Sequence, residues 1–333
     1  MFIVLEGSDA SGKSTIAAAV KSQLERDFPG KKIHEFHKGR PEELTRRWVL
    51  NEYAVSVEKT DWTAEISIAD RWHWGEVTYA PLKRPDTNKD GFGLLGRAGW
   101  RWVELFMASR GMTQFWVYQP SDVVKTRLGT RGDDFVSAHE IDEIIDLYSR
   151  ASDAAYLIEA KVQVPDGHRY VDGVASAIIS KAKERAGEAA VLSEFPEYIG
   201  PPHPRILLVG DRQNTPGETI LPFLPVNGNS GEYLLSCLPE LLWRSVGIIN
   251  AQDFRGERIN RLLGTLGKPR IAVLGRLAEH EMMKSGVDKN NYVVFPHPQY
   301  VRRFHHSDNR EYGMAIQSYA YSLNERYMNW ILP

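Results

Sequence analysis

Short apolar runs alternate along this chain with longer stretches of helical periodicity, and the alternation breaks once. In the first half, apolar runs at 2–5, 32–36, 66–69, 114–118 and 169–171 predict strands. Patterns near 13–27, 42–58, 93–110, 137–159 and 173–186 predict the helices between them. Parallel strands need a crossover between them, so this succession predicts a parallel sheet with helices on both faces. From Ala186 to Pro204 the periodicity is lost, ending in the stiff segment Gly200-Pro201-Pro202-His203-Pro204. A second alternation follows, with strands at 205–209, 246–250, 270–274 and 292–295 and helices near 230–242, 256–266, 276–285 and 310–328. The expected architecture is therefore α/β in two domains, 1–186 and 205–333, joined by a linker at 187–204. No internal repeat is visible.

Composition narrows the partners only slightly. Lys and Arg number 41 against 43 Asp and Glu, a formal charge of −2, so nucleic acid would have to be met by local patches. Cys237 is the sole cysteine, which excludes intrachain disulfides and cysteine-ligated zinc or iron-sulfur sites. The first strand begins at residue 2, leaving no room for a signal peptide. No apolar stretch approaches the roughly 20 residues of a membrane span. The expectation is a cytoplasmic protein with no membrane partner and no structural metal.

The chemistry is written between the first strand and the first helix. Gly7-Ser8-Asp9-Ala10-Ser11-Gly12-Lys13-Ser14-Thr15 follows Phe2-Ile3-Val4-Leu5 and matches a phosphate-binding loop at every fixed position. Gly7 and Gly12 let the backbone curl so that the N–H groups of Ser8, Ala10, Ser11 and Thr15 face phosphate oxygens. Lys13, expected to be exposed in the loop, supplies charge to the β and γ groups. Ser14 can ligate Mg²⁺, with Asp70, at the end of a central strand, as a second oxygen ligand or as acceptor of a hydroxyl proton. ATP and Mg²⁺ are the expected cofactors.

About 160 residues from Phe2 resemble the thymidylate kinases. Asp70-Arg71 closes the third strand as the Asp-Arg pair does in that family, and Tyr118-Gln119-Pro120-Ser121 leads to Arg127 and Arg131, followed by Gly132-Asp133-Asp134, in the manner of its arginine-bearing lid. The resemblance implies that Lys13, Asp70, Arg127 and Arg131 act in phosphoryl transfer, and that Asp9 binds the sugar 3′-hydroxyl of the acceptor beside Arg71 and Trp72. Arginines closing over the equatorial oxygens would stabilise the charge that spreads there. The same residues have plainer uses. Arg127 and Arg131 lie one helical turn apart and fit a solvated basic face; Asp70 and Arg71 fit a buried ion pair. Trp72, Trp74, Trp100 and Trp102 have spacing suited to core packing as well as to base stacking, and His34 and His37 read as structural.

The second half carries a looser resemblance. Ile206-Leu207-Leu208-Val209-Gly210-Asp211, Leu221-Pro222-Phe223, Ser230-Gly231, Ile248-Ile249-Asn250 and Phe295-Pro296-His297-Pro298 together resemble, over roughly 125 residues, the uracil-DNA glycosylase superfamily with its α/β/α domain. By that resemblance Phe223 stacks on an extruded pyrimidine, Asn250 reads its edge, His297 lies beside its O2, and Asp211 belongs to the first loop. Arg212 stands where the water-positioning carboxylate would be, and the tyrosine that blocks 5-substituted pyrimidines is absent. Base excision is therefore not expected, and room is left for a 5-substituent. Tyr300-Val301-Arg302-Arg303 and His305-His306 suit a wedge and clamp on a nucleic-acid backbone. Metal at the His pair needs further ligands nearby.

Joining the halves gives an ATP-dependent kinase acting on the 5-hydroxymethyl group of 5-hydroxymethyluracil in DNA, an activity of viral kinases in the thymidylate kinase-like group. A bacteriophage source, DNA as partner and a host-cytoplasmic location go with that reading; it admits a homodimer. A kinase for free dTMP or a related deoxynucleotide is the alternative, and an active DNA glycosylase with a regulatory ATP domain is a third.

Overall fold

The computed structural model describes residues 1–58, 64–88, 90–131, 136–164, 168–211, 221–226, 228–305, 309–322 and 330. The chain divides into two compact units, one of Met1–Gly96 with Arg110–Ala190, the other of Arg97–Ser109 with Val191–Pro333.

In the first unit five parallel strands run β2 (Ile33–His37), β3 (Ile66–Asp70), β1 (Phe2–Glu6), β4 (Met112–Tyr118), β5 (Ile158–Gln163) across the sheet. Burial follows position. Central β1 is buried at every residue, as the unbroken Phe2-Ile3-Val4-Leu5 run requires, whereas edge strands β2 and β5 mix exposed with covered positions. Ile3 and Leu5 join a core with Ile16, Val20 and Leu24 of α1 (Lys13–Asp27) and with Val171, Ala175, Ile178 and Ala182 of α8 (His168–Ala189). The remaining helices of this unit are α2 (Arg46–Glu58), the one-turn α3 (Gly75–Thr78) and α4 (Ala80–Lys83), α6 (Ser121–Arg131) and α7 (Ile141–Ala154).

The predicted strand at 169–171 is a correction. Tyr170 and Val171 belong to α8, where Val171, Ala175, Ile178 and Ala182 form an apolar stripe at helical spacing. The fifth strand instead comes from Ile158-Glu159-Ala160-Lys161-Val162-Gln163, whose period-two alternation suits a half-covered edge; the expected helix at 137–159 overlaps only its first two residues.

The second unit has four parallel strands in the order β7 (Val246–Asn250), β6 (Ile206–Gly210), β8 (Arg270–Leu274), β9 (Tyr292–Phe295). Leu207, Val209, Ile249, Ile271 and Val273 pack with Ile259 and Leu262 of α11 (Glu257–Thr265) and with Ala278 and Met282 of α12 (Arg276–Lys284). Pro239 splits the helix expected at 230–242 into α9 (Ser230–Cys237) and α10 (Glu240–Trp243), since proline cannot donate to the helical ladder. α13 (Pro298–Phe304) and α14 (Asn309–Tyr321) follow β9.

Helix α5 (Gly96–Ser109), which the linear reading placed with the kinase half, groups from Arg97 onward with the second unit. Its buried Arg101 explains much of this. The guanidinium donates to the carbonyl oxygens of Leu235 and Leu238, each at 2.7 Å, and pairs with Glu240 at 2.9 Å. Those carbonyls lie at the end of α9, where a helix runs out of its own donors. Trp102 Nε1 donates to the carbonyl of Pro222 at 3.1 Å. Among the described residues, no helix is long and apolar enough to cross a membrane.

Replacing Arg101 with methionine keeps the helix former and removes the cap. The second unit should lose about 2–4 kcal/mol, because two buried carbonyls are left without their donor, while Glu240 keeps Trp243 and Arg244. Chemical denaturation checks this; a loss under about 0.5 kcal/mol would show that water satisfies those carbonyls equally well.

Candidate active site

The loop after β1 is shaped by close approach. A side chain at Gly7 would drive into the carbonyl oxygen of Val117 in β4, and one at Gly12 would lie 2.9 Å from Val164 Cγ2. Gly12 caps α1 with φ 95°, a left-handed conformation natural only to glycine, and no side chain caps that helix. The N-terminus of a fifteen-residue helix thus faces the loop, an arrangement that favours anions. Ser8 and Ser11 are buried within the loop, while Ser14 and Thr15 are exposed at the helix start.

Lys13 is buried, not exposed as expected from a loop position. Its ammonium donates to the carbonyls of Gly7 at 2.8 Å and Ser8 at 2.7 Å, and stands 3.9 Å from Asp70 Oδ1. Burial, then the neighbouring Arg71 charge, pull its pKa down to about 8. Asp70 ends β3 in register with His37 of β2 and Leu5 of β1, and His37 Nδ1 lies 3.6 Å from its second oxygen. Asp70 Oδ1 is buried without a hydrogen-bond partner, and Asp70 and Ser14 line one cavity of about 450 Å³. Hard oxygen donors, one of them unsatisfied, suit Mg²⁺, which takes few protein ligands when phosphate supplies others. Among the described residues no three His, Cys, Asp or Glu side chains cluster to hold a metal by themselves.

Beside the loop sits a second constellation. Arg71 has φ 69°, ion-pairs with Asp9, and lays its guanidinium 5.1 Å from the ring centre of Tyr79. Tyr79 donates its hydroxyl to Asp9 at 3.0 Å. Burial would raise the Asp9 pKa, but Arg71, Lys13 and the hydrogen bonds outweigh it and hold the carboxylate below its usual range. Glu6, wholly buried at the end of β1, accepts the backbone N–H groups of Trp72 at 2.9 Å and Trp74 at 3.1 Å. Desolvation pushes its pKa up to about 8.

Arg71 and Tyr79 open on a cavity of about 210 Å³ that also meets Lys38, Arg40, Tyr53, Trp72, Glu76, Lys83 and Arg84. Five cations and one carboxylate line it, with Arg71, Lys38, Lys83 and Arg84 paired to Asp9, Glu52, Glu140 and Glu76. Trp72 forms part of the wall while its ring packs on Phe2, Phe36 and Tyr53 with Lys38 over its face. Trp74, Trp100 and Trp102 are buried, as core packing requires. His34 pairs with Glu65 at 2.7 Å.

Arg127, on α6, reaches the loop and donates to the carbonyl of Ala10 at 3.2 Å. Arg131 ends α6; its side chain, with Gly132-Asp133-Asp134, lies outside the described residues. The linear reading missed Glu6, Tyr79 and the basic cavity wall. Glu6 carried a signal, a carboxylate at the end of an apolar strand, but only the fold brings Tyr79 to Asp9.

In the second unit, the carboxyl ends of the strands gather the residues singled out there. Asp211 follows β6, Asn250 ends β7 and His297 follows β9. A side chain at Gly210 would lie 2.6 Å from the Phe223 ring and 3.4 Å from Asn250 Oδ1, so the ring covers that glycine beside the carboxamide. Phe223 takes φ 51°, and a side chain at Gly231 would collide with its carbonyl. His297 Nδ1 accepts the N–H of Gln299 at 3.2 Å, which leaves Nε2 to carry the proton of the neutral ring. Burial holds its pKa below the ordinary value, against the nearby Asp211 charge. The strand order reverses direction around β6, and ligands of open α/β sheets bind in the crevice such a reversal leaves. Arg212, Gln213, Asn214 and His306 lie outside the described residues.

No family model matches the chain. Over 146 residues, 44% of this chain and 78% of the other, it is 28% identical to the SPbeta prophage-derived uncharacterized protein YorR of Bacillus subtilis (strain 168). Among solved structures it is similar to Bacillus subtilis YorR in complex with phosphorylated GDP (TM-score 0.42, 21% identity, 55% of this chain and 96% of that one). It is also similar to deoxyadenosine kinase from M. mycoides with bound dATP (TM-score 0.37, 14% identity, 54% of this chain and 100% of that one).

The raised pKa of Glu6 gives a signed pH dependence. An acid whose folded pKa lies above its unfolded value contributes stability that is complete below the unfolded pKa of 4.5 and is lost as pH rises through about 8. Glu6→Gln cannot ionise, so its melting temperature should match wild type near pH 5 and exceed it at pH 8.5. Parallel melting curves for the two proteins across that range would show that Glu6 titrates normally.

Proposed function

We propose that the first unit is a P-loop kinase that moves the γ-phosphoryl group of ATP to a hydroxyl of a thymine-type deoxynucleotide. The observation that carries this reading is the meeting of the Lys13–Asp70 pair with the Asp9–Arg71–Tyr79 group around one loop. Lys13 would exchange the loop carbonyls for β- and γ-phosphate oxygens, and α1 would receive the same anion on its amides. Ser14 and Asp70 would hold Mg²⁺, whose charge would offset that of the phosphate. Arg127 already touches the loop and would turn its guanidinium to the transferring group as charge develops. Asp9 accepts a sugar hydroxyl, Arg71 holds the acceptor's anion, and Trp72 walls the cavity.

The preferred acceptor in this proposal is the 5-hydroxymethyl group of 5-hydroxymethyluracil in DNA. Its support is the Phe223 ring lying beside the Asn250 carboxamide, with His297 just past the end of a strand of the same sheet and within reach of the Asp211 charge, groups of the kind that receive a pyrimidine. Tyr300 and Phe304 on α13 add to it: they are 51% and 67% exposed, with rings 4.9 Å apart beside Arg302 and Arg303. A prophage-derived relative accords with a viral source. A free deoxynucleotide such as dTMP is the second reading, favoured by Asp9 and by the basic cavity around Arg71.

Incubation with γ-labelled ATP and, separately, dTMP, thymine-containing DNA and 5-hydroxymethyluracil-containing DNA should label only the last. Label on dTMP alone would establish the free-nucleotide reading. Lys13→Ala should lower transfer by about three decades or more, the scale of losing such an electrostatic group; near-normal turnover would remove the kinase assignment.

Binding tests the second unit separately. Asn250→Ala and Phe223→Ala should each weaken binding of modified DNA, the stacking loss alone amounting to about 1–3 kcal/mol, with ATP affinity unchanged. Wild-type protein should leave no abasic sites in uracil-containing DNA. Efficient uracil release would replace base capture with excision.

A further inference from the structure

Beyond Arg71 the sheet pairing of β3 ends and the chain turns sharply. Arg71 N–H still bonds Leu5 across the sheet at 2.9 Å, but the next amides turn inward, and those of Trp72 and Trp74 both go to Glu6 Oε1. The residue at the corner, Arg71, has φ 69°, a left-handed conformation that residues with a Cβ adopt only at a cost. Something must hold it there, and the two hydrogen bonds just after the corner do so from a wholly buried side chain. The corner matters because it sets the guanidinium over Tyr79 and against Asp9.

We infer that Glu6 is a positioning residue for the acceptor arginine: it fixes the Arg71–Trp74 turn and through that turn sets where Arg71 meets the acceptor's anion. The inference rests on the kinase reading for its functional meaning, while the geometry of the turn stands apart from it. Glu6 Oε2 is buried without a hydrogen-bond partner, so the grip is made by one oxygen alone. With the carboxyl pKa raised to about 8, that oxygen acts at neutral pH as a carbonyl acceptor, which a carboxamide reproduces. Methionine fills the same space without accepting either N–H.

The test compares Glu6→Gln, Glu6→Met, Arg71→Ala and the double variant Glu6→Met/Arg71→Ala. Glu6→Met should raise the acceptor KM about fivefold or more while the KM for ATP stays within about twofold, and Glu6→Gln should stay near wild type. In the double variant the acceptor KM should equal that of Arg71→Ala alone, since residues acting through one contact are not additive. An additive double variant, equal effects on both substrates, failure of Glu6→Gln to rescue, or global unfolding of Glu6→Met would each overturn the inference.

A readout independent of activity separates this from the proposed function. Phenylglyoxal modification of Arg71, followed by mass spectrometry of its peptide, should be about fivefold faster in Glu6→Met than in wild type and unchanged in Glu6→Gln, because a released turn exposes the guanidinium. Wild-type protein that transfers no phosphate to any acceptor would defeat the kinase reading. Unaltered Arg71 modification in a folded Glu6→Met protein would defeat the role of Glu6.

Discussion

Buried charge at the carboxyl end of β1 is the constraint on which the first unit depends. Glu6, Asp9, Lys13, Asp70 and Arg71 meet around one short loop, and an ionised side chain removed from water is tolerated only where partners compensate it. The compensation closes if Glu6 keeps its proton: two cations, Lys13 and Arg71, then face two carboxylates, Asp9 and Asp70. The Glu6 pKa of about 8 agrees with that balance at neutral pH. Three of these side chains also make bonds that shape the backbone. Lys13 ties the loop carbonyls of Gly7 and Ser8, Glu6 ties the turn after β3, and Asp9 joins loop and turn through Arg71.

In the proposed reading an arriving polyphosphate would alter this balance. Its negative charge would draw Lys13 from its carbonyls and raise its depressed pKa, since the burial that disfavours the lone ammonium strengthens its attraction to an anion. Lys13 is a cation held by neutral carbonyls, which the proposed reading exchanges for charged oxygens.

Both units put their candidate site residues at or beyond the carboxyl ends of parallel strands. In both, glycine makes the room. Gly7 lets the loop pass against the backbone of β4, and Gly210 lets the Phe223 ring lie beside Asn250. Helix α5 belongs to the second unit from Arg97, although strands of the first unit precede and follow it in the chain. Its buried arginine satisfies carbonyls at the end of α9 that no local donor can reach.

The sequence by itself determined the α/β alternation, eight of the strands, the glycine-bounded loop between β1 and α1 and the coincidence of Asp70-Arg71 with a strand end. These are local properties: periodicity follows from which face of an element is covered, and a loop that needs glycine at two positions announces itself. Tertiary structure decided the rest. The edge strand at Ile158–Gln163 escaped the linear reading because a half-covered strand of six residues carries little apolar signal. The allegiance of α5 turned on Arg101 reaching residues more than 130 positions away. Lys13 lay buried because its own loop folds over it, and Tyr79 met Asp9 only through a turn that Glu6 holds. Burial and long-range hydrogen bonds depend on what the chain brings near a residue from elsewhere, and no periodicity records that.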